Sequence, residues 1–283
     1  MPTSPRCMNM AMRVAEAWSN WTGQMHTFTR MLDREGLSYL SFSKVASVEF
    51  CPQQYLLEYV ERVKLRPEPG YFVKGRLLHE AAAKLHRARM RGRRASLDQL
   101  VMPVERRLGD EDANHVRNAL ALMQGQAEPE WQVVAVEEPF VLDLGPDLPP
   151  CLGIVDLVQR RGDEYAVIDH KGGKRFSAID RLQLVLYREY ARREYGAQRW
   201  AAYFDQYRWV NNLARVRKPA FCRTKVTIRD GTWKRTLRRV TTRHRQMLKI
   251  EQAGSATATG DCMICPFRDQ CPRATFKQSN GCY

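Results

Sequence analysis

The chain has 283 residues, 44% of them apolar and six of them tryptophan, enough to bury a substantial core in one large domain or a domain with an appended subdomain. No apolar stretch approaches membrane-spanning length and the N-terminus has no secretory apolar region, which argues against a helical membrane protein and predicts an intracellular, cytoplasmic one. The 46 Lys and Arg against 31 Asp and Glu leave a net charge of +15, which says little about fold but predicts attraction to a polyanion.

Residues 1–38 carry no strong pattern beyond a short helical candidate around Val14, Ala17 and Trp18, and are expected to form a peripheral extension. Residues 40–63, LSFSKVASVEFCPQQYLLEYVERV, read as two short helices meeting at Cys51-Pro52. Ser41 or Ser43 suits the first N-cap, and Pro52 suits the first turn of the second helix. Residues 75–94 form a strong helical pattern, with Leu78, Ala82, Leu85 and Met90 on or near one face, and another helix is expected over 111–125.

Strands follow at 131–144 and 152–159, and after the Arg161-Gly162-Asp163 turn at 165–170. An amphipathic helix over 178–196 closes on Gly196. Strands at 199–209 and 221–228, a basic helix over 231–252 and a linker at 253–261 complete the pattern. This order suits an α/β fold: a mixed central sheet flanked by helices, with a helical subdomain built from both ends of the chain. The expected divisions are an extension (1–38), a helical subdomain with Cys51 and His79 (39–130), a core with a basic C-terminal helix (131–253) and a cysteine-rich tail (254–283).

The residues with chemistry sit at strand ends. In CLGIVDLVQRRGDEYAVIDHKGGK, residues 151–174, Asp169 and Lys171 share a strand face. The hairpin through Gly162 brings Asp156 within reach of Asp169. Two close carboxylates repel unless they share a proton or a cation, and a hard divalent ion is the natural resolution. A lysine beside them can orient water and stabilise charge developing on a phosphate.

Gly153-x-x-Asp156, Asp169-x-Lys171 and Gln183-x-x-x-Tyr187 together resemble the PD-(D/E)XK nuclease superfamily. Gly75-x-x-x-His79 upstream resembles the helical histidine of its RecB-like branch. The resemblance, over roughly residues 40–275, implies a restriction-endonuclease-like core. It implies that His79, Asp156 and Asp169, with the backbone carbonyl of His170, hold Mg²⁺ or Mn²⁺. Lys171 would position the attacking water, and Gln183 and Tyr187, four apart on one helix face, would reach the site and the DNA. Two departures stand out. Gly172-Gly173-Lys174 follows the lysine where many relatives have Thr-Gly, and both Glu137 and Glu138 compete for the family's upstream glutamate.

Cys262-x2-Cys265-x5-Cys271 supplies three thiolates, and Cys51, like Cys265 and Cys271, precedes a proline. The spacing alone leaves zinc and an iron–sulfur cluster both open. The arrangement resembles the iron–sulfur nucleases, including the AddB nuclease domain and the CRISPR-associated Cas-four nucleases. That resemblance implies a 4Fe-4S cluster on Cys51, Cys262, Cys265 and Cys271, stapling the subdomain shut. Cys7, Cys151, Cys222 and Cys282 then remain ordinary thiols, though Cys282 is close enough to the tail in sequence to stand as an alternative to one of the four.

Between Tyr207 and Lys249 there are fourteen Lys or Arg and one acid, Asp230, interleaved with aromatic residues. That mixture tracks a phosphate backbone, and Lys234, Arg235, Arg238 and Arg239 are its candidate DNA contacts. The implied function is a metal-dependent DNA exonuclease on single-stranded ends, in repair, recombination or CRISPR-type processing. The alternative is a non-catalytic DNA-binding module organising a complex. No P-loop is present, so unwinding would need a helicase partner.

Overall fold

The computed structural model describes residues 13–274 except 15, 19–24, 197 and 230; Cys7 and Cys282 lie outside the described residues. Helix α1 spans Met25–Arg34. The predicted helix pair is α2, Phe42–Phe50, and α3, Pro52–Tyr55, which continues into a π turn over Leu56–Val60. Ser41 is the cap: its side chain accepts a hydrogen bond from the Lys44 amide at 3.2 Å. Helix α4 spans Gly70–Met90 and begins before the predicted start at 75. A helix that the periodicity did not suggest follows, α5 over Leu97–Leu108. Pro103 lies inside it and reads as a breaker in sequence. Burial of Leu100, Val101 and Val104 against α4 and α6 outweighs the lost backbone bond. Helix α6 spans Asp110–Gly125.

The sheet has five strands in the order β1-β2-β3-β4-β5: Gln132–Leu142, Cys151–Arg161, Glu164–Gly173, Arg199–Arg208 and Phe221–Lys225. All pairs are antiparallel except β3 and β4, which run parallel because helix α7, Arg181–Tyr195, crosses between them. The sheet is therefore mixed and flanked by helices, as expected for a restriction-endonuclease-like core. The predicted Gly196 closes α7 in the left-handed conformation, with φ of 64°. The basic helix is α8, Thr232–Ala253.

Two apolar layers cover the sheet. On one face Val155, Val167 and Phe204 pack with Leu184 and Leu186 of α7, Val45 and Val48 of α2, and Val240 and Met247 of α8. On the other, α4, α5 and α6 bury Leu77, Leu78, Leu85, Val101 and Leu120 together with Tyr207 of β4. Strand alternation sends Asp169 and Lys171 toward α7 and His170 toward α4. Residues of the N-terminal segment are docked rather than free of the core. Val14, Phe28, Leu32 and Leu37 are buried against Leu152 of β2, and Leu40 pairs with Pro150 and Leu152 through 2.8 Å backbone bonds.

Candidate active site

The β2–β3 register pairs Leu157 with Ile168, which sets Asp156 opposite Asp169 on the next step. Both carboxylates are almost wholly out of water, Asp156 at 7% exposure and Asp169 at 0%. Burial raises the pKa of each, and for Asp169 the charge on Asp156 adds to it, reaching about 7 against the opposing pull of Lys171. Asp156 Oδ2 accepts a 2.8 Å hydrogen bond from the His170 amide.

Lys171 Nζ lies 2.9 Å from Asp169 Oδ2 and donates to Asp169 Oδ1 at 3.2 Å and to Gln183 Oε1 at 3.1 Å. Gln183 Nε2 donates to the Tyr187 hydroxyl at 2.7 Å, which fixes the amide so that its oxygen faces the lysine. Strand β3 and helix α7 thus bring together the four residues that sequence spacing had singled out there. Tyr187 itself is buried, at 7% exposure, edge-on to Phe140. Its hydroxyl is raised well above its usual pKa by burial and then by the two aspartates.

Helix α4 supplies His79 from across the sheet edge. Its Nδ1 is 3.4 Å from Asp156 Oδ2 and 3.7 Å from Glu137 Oε1. Burial disfavours the charged ring, but Asp156 and Glu137 outweigh it and push the pKa to about 9 in the metal-free protein. His79, Glu137 and Asp156 each offer one ligand atom, all within 4.8 Å of one another. The competition between the two glutamates is decided here. Glu137 joins the histidine, whereas Glu138 accepts a 2.6 Å bond from Tyr195 on the other side. Glu137 has a φ of 50°, and no sequence pattern announces that backbone state for a glutamate. The donor set fits a hard divalent cation: hard oxygen donors from carboxylates, one imidazole, and a fully buried Asp169 whose Oδ2 has only the Lys171 ammonium beside it, at 2.9 Å.

The imidazole of His170 does not join this group. It stacks on His86 of α4, with ring centroids 5.1 Å apart and the Nε2 atoms 3.1 Å apart, so any share His170 has in the site comes through its backbone. Among the basic candidates, Lys234, Arg235 and Arg238 are exposed on α8. Arg239 is committed elsewhere, to Asp180 at 2.7 and 2.9 Å and to Glu49 at 2.8 Å. This corrects its expected role as a DNA contact, because a guanidinium forked between two carboxylates has few donors left for phosphate.

The cysteine tail returns to α3. Cys51 is buried, and its sulfur accepts the Thr259 amide at 3.4 Å. Burial raises its pKa, yet the amides of Gly260, Thr259, Gln54 and Gln53 outweigh this and lower it. Gly260 packs so tightly that an added Cβ would lie 2.7 Å from the Phe50 carbonyl oxygen and 2.9 Å from Cys51 Cβ. Cys265 is raised by burial and further by Cys51, Cys271 and Cys262. Cys151, by contrast, is buried in the core and pushed up to about 12 by desolvation.

The family model of the PD-(D/E)XK nuclease superfamily matches residues 39–272. In structure the chain is similar to a candidate exonuclease from Eubacterium rectale at 11% identity, covering 84% of this chain and 90% of that one, with a TM-score of 0.47. It is also similar to the protein SSO0001 at 10% identity, covering 97% and 100%, with a TM-score of 0.38. No curated protein matches it in sequence. With carboxylates, lysine and glutamine gathered where β2, β3 and α7 meet and the family match spanning both helical and sheet parts, the chain belongs to the PD-(D/E)XK nuclease superfamily.

Proposed function

We propose that the protein is a divalent-metal-dependent deoxyribonuclease of the RecB-like branch, acting as an exonuclease on single-stranded ends. The observation that carries this reading is the convergence of His79, Glu137 and Asp156 within 4.8 Å beside the Asp169–Lys171–Gln183 chain. His79, Asp156 and Asp169 would hold Mg²⁺ or Mn²⁺, with Glu137 beside them. Such an ion, when bound, supplies Lewis-acid polarisation of a phosphate and a lowered pKa for water.

The chain's own residues do the rest. Asp169 and Gln183 occupy two directions around the Lys171 ammonium and leave a third N–H for the attacking water or a phosphate oxygen. Tyr187 holds Gln183, and thereby the lysine, in that orientation. The cysteines are proposed as ligands of a structural 4Fe-4S cluster joining the tail to α3. The amides directed at Cys51 support it.

The test is cleavage of 5′- and 3′-labelled single-stranded DNA with Mn²⁺ on anaerobically purified protein, wild type against Asp169→Ala. Degradation by the wild type alone supports the nuclease, and the label pattern gives polarity. Metal-replete protein that binds DNA without ever cutting it would leave a DNA-binding module in its place.

A further inference from the structure

A groove of about 870 Å³ opens from the site along α4, and Tyr71, Phe72, Arg76, Lys84 and Arg87 line it together with His79 and Glu137. At its outer end Tyr71 and Phe72 stand side by side with ring centroids 4.5 Å apart. They are 60% and 39% exposed, among the most exposed large apolar side chains described. Two adjacent rings left in water on a rigid first helical turn carry a standing cost unless something covers them.

The chemistry around them says what that is. Lys84 and Arg87 are exposed along the same helix face, Arg76 between them and the rings is forked onto Glu68, and Glu80 is the one acid lining the groove outside the site. Phe72 and His79 are separated by about 10 Å along the helix axis, the reach of up to three stacked nucleotides.

We propose that Tyr71 and Phe72 form a base-stacking platform that admits an unpaired DNA strand to the groove, while Lys84 and Arg87 carry its phosphates. A duplex has both faces of each base already covered and gains nothing from the rings, so the platform selects single strands. This deepens the nuclease reading and rests on it for what happens past His79, but not for binding.

The experiment is therefore done without catalysis. Fluorescence anisotropy in EDTA compares labelled oligothymidylate with a hairpin duplex, on wild type, Tyr71→Ala/Phe72→Ala and the ring-preserving Tyr71→Phe/Phe72→Tyr. The alanine pair is expected to weaken single-strand binding by at least about fivefold, duplex binding by less than about twofold, and the ring-preserving pair to restore it. A smaller single-strand loss, or an equal loss on duplex, overturns the platform. Tyr71→Trp gives a readout independent of folding: its emission should change on adding the single strand and not the duplex. Mn²⁺-dependent cleavage is scored separately. Selective binding without cutting removes the nuclease reading and leaves the platform; cutting without strand selection does the reverse.

Discussion

The backbone amide of His170 donates to Asp156 Oδ2 at 2.8 Å, while the imidazole of the same residue lies on the opposite face of the sheet against His86. The β2 carboxylate is therefore held by the ladder itself. An asparagine oxygen can accept the same bond, so Asp156→Asn should fold. It should also lose the rise in melting temperature expected of wild type on adding Mn²⁺, since a ligand that binds only the folded state stabilises it. An equal Mn²⁺ shift in both proteins would remove Asp156 from the cation site.

In the metal-free protein Asp169 should contribute more stability in mild acid than at pH 8, while the buried His86 and His170, whose pKa values burial depresses, pull the other way. Asp169 is raised from 3.8 to about 7, chiefly by burial and then by Asp156. The folded state therefore binds a proton that the unfolded chain releases. That contribution is complete below the unfolded value and disappears as pH rises through about 7. In thermal melts in EDTA, wild type should gain stability relative to Asp169→Asn on going from pH 8 to pH 5, the histidines being common to both proteins.

Gly172 is confined by its neighbours. A Cβ there would lie 2.0 Å from the Trp209 ring and 2.8 Å from Leu78 Cδ2. This gives a physical reason for glycine at the position after the lysine, where many relatives carry threonine. Gly172→Ala should cost about 1–3 kcal/mol in urea unfolding, as overpacking does, and displace Lys171 enough to reduce cleavage. Gly162→Ala has open space around its Cβ, but its φ of 59° should still cost about 1 kcal/mol without touching activity.

Arg239 and Arg238 are neighbours with opposite expected phenotypes. Arg239→Ala breaks the fork to Glu49 and Asp180 that ties α8 to α2 and α7, and should lower stability by about 1 kcal/mol after discounting for its partial exposure. Its DNA affinity should hold. Arg238→Ala, on an exposed face, should leave stability unchanged and flatten the salt dependence of DNA binding by about one unit of slope.

The four cysteines separate the two metal chemistries by colour. Anaerobic protein carrying an iron–sulfur cluster absorbs near roughly 400 nm and yields iron, whereas a zinc-thiolate site is colourless. Cys51→Ser should abolish that absorbance, and Cys151→Ser, in the core away from the tail, should keep it.

Much of this was legible in order along the chain. Strand alternation and the Gly162 turn placed Asp156, Asp169 and Lys171 together, and the four-residue helical step did the same for Gln183 and Tyr187, because these relations are local and the backbone geometry fixes them. The choice of Glu137 over Glu138 was not legible. It depends on a positive φ in β1 and on which side Tyr195 occupies, more than fifty residues away. Helix α5 was hidden by Pro103, whose cost only tertiary burial overrides. Arg239 looked like its neighbours until Glu49 and Asp180 met it. The groove past His79 became visible only when α4 lay along the sheet edge, because side chains a turn apart become a surface only after the helix has a neighbour. Local periodicity thus determined most of the elements, though neither α1 nor α5, and most of the candidate site residues. Long-range packing decided which of several equivalent charges was left free to act.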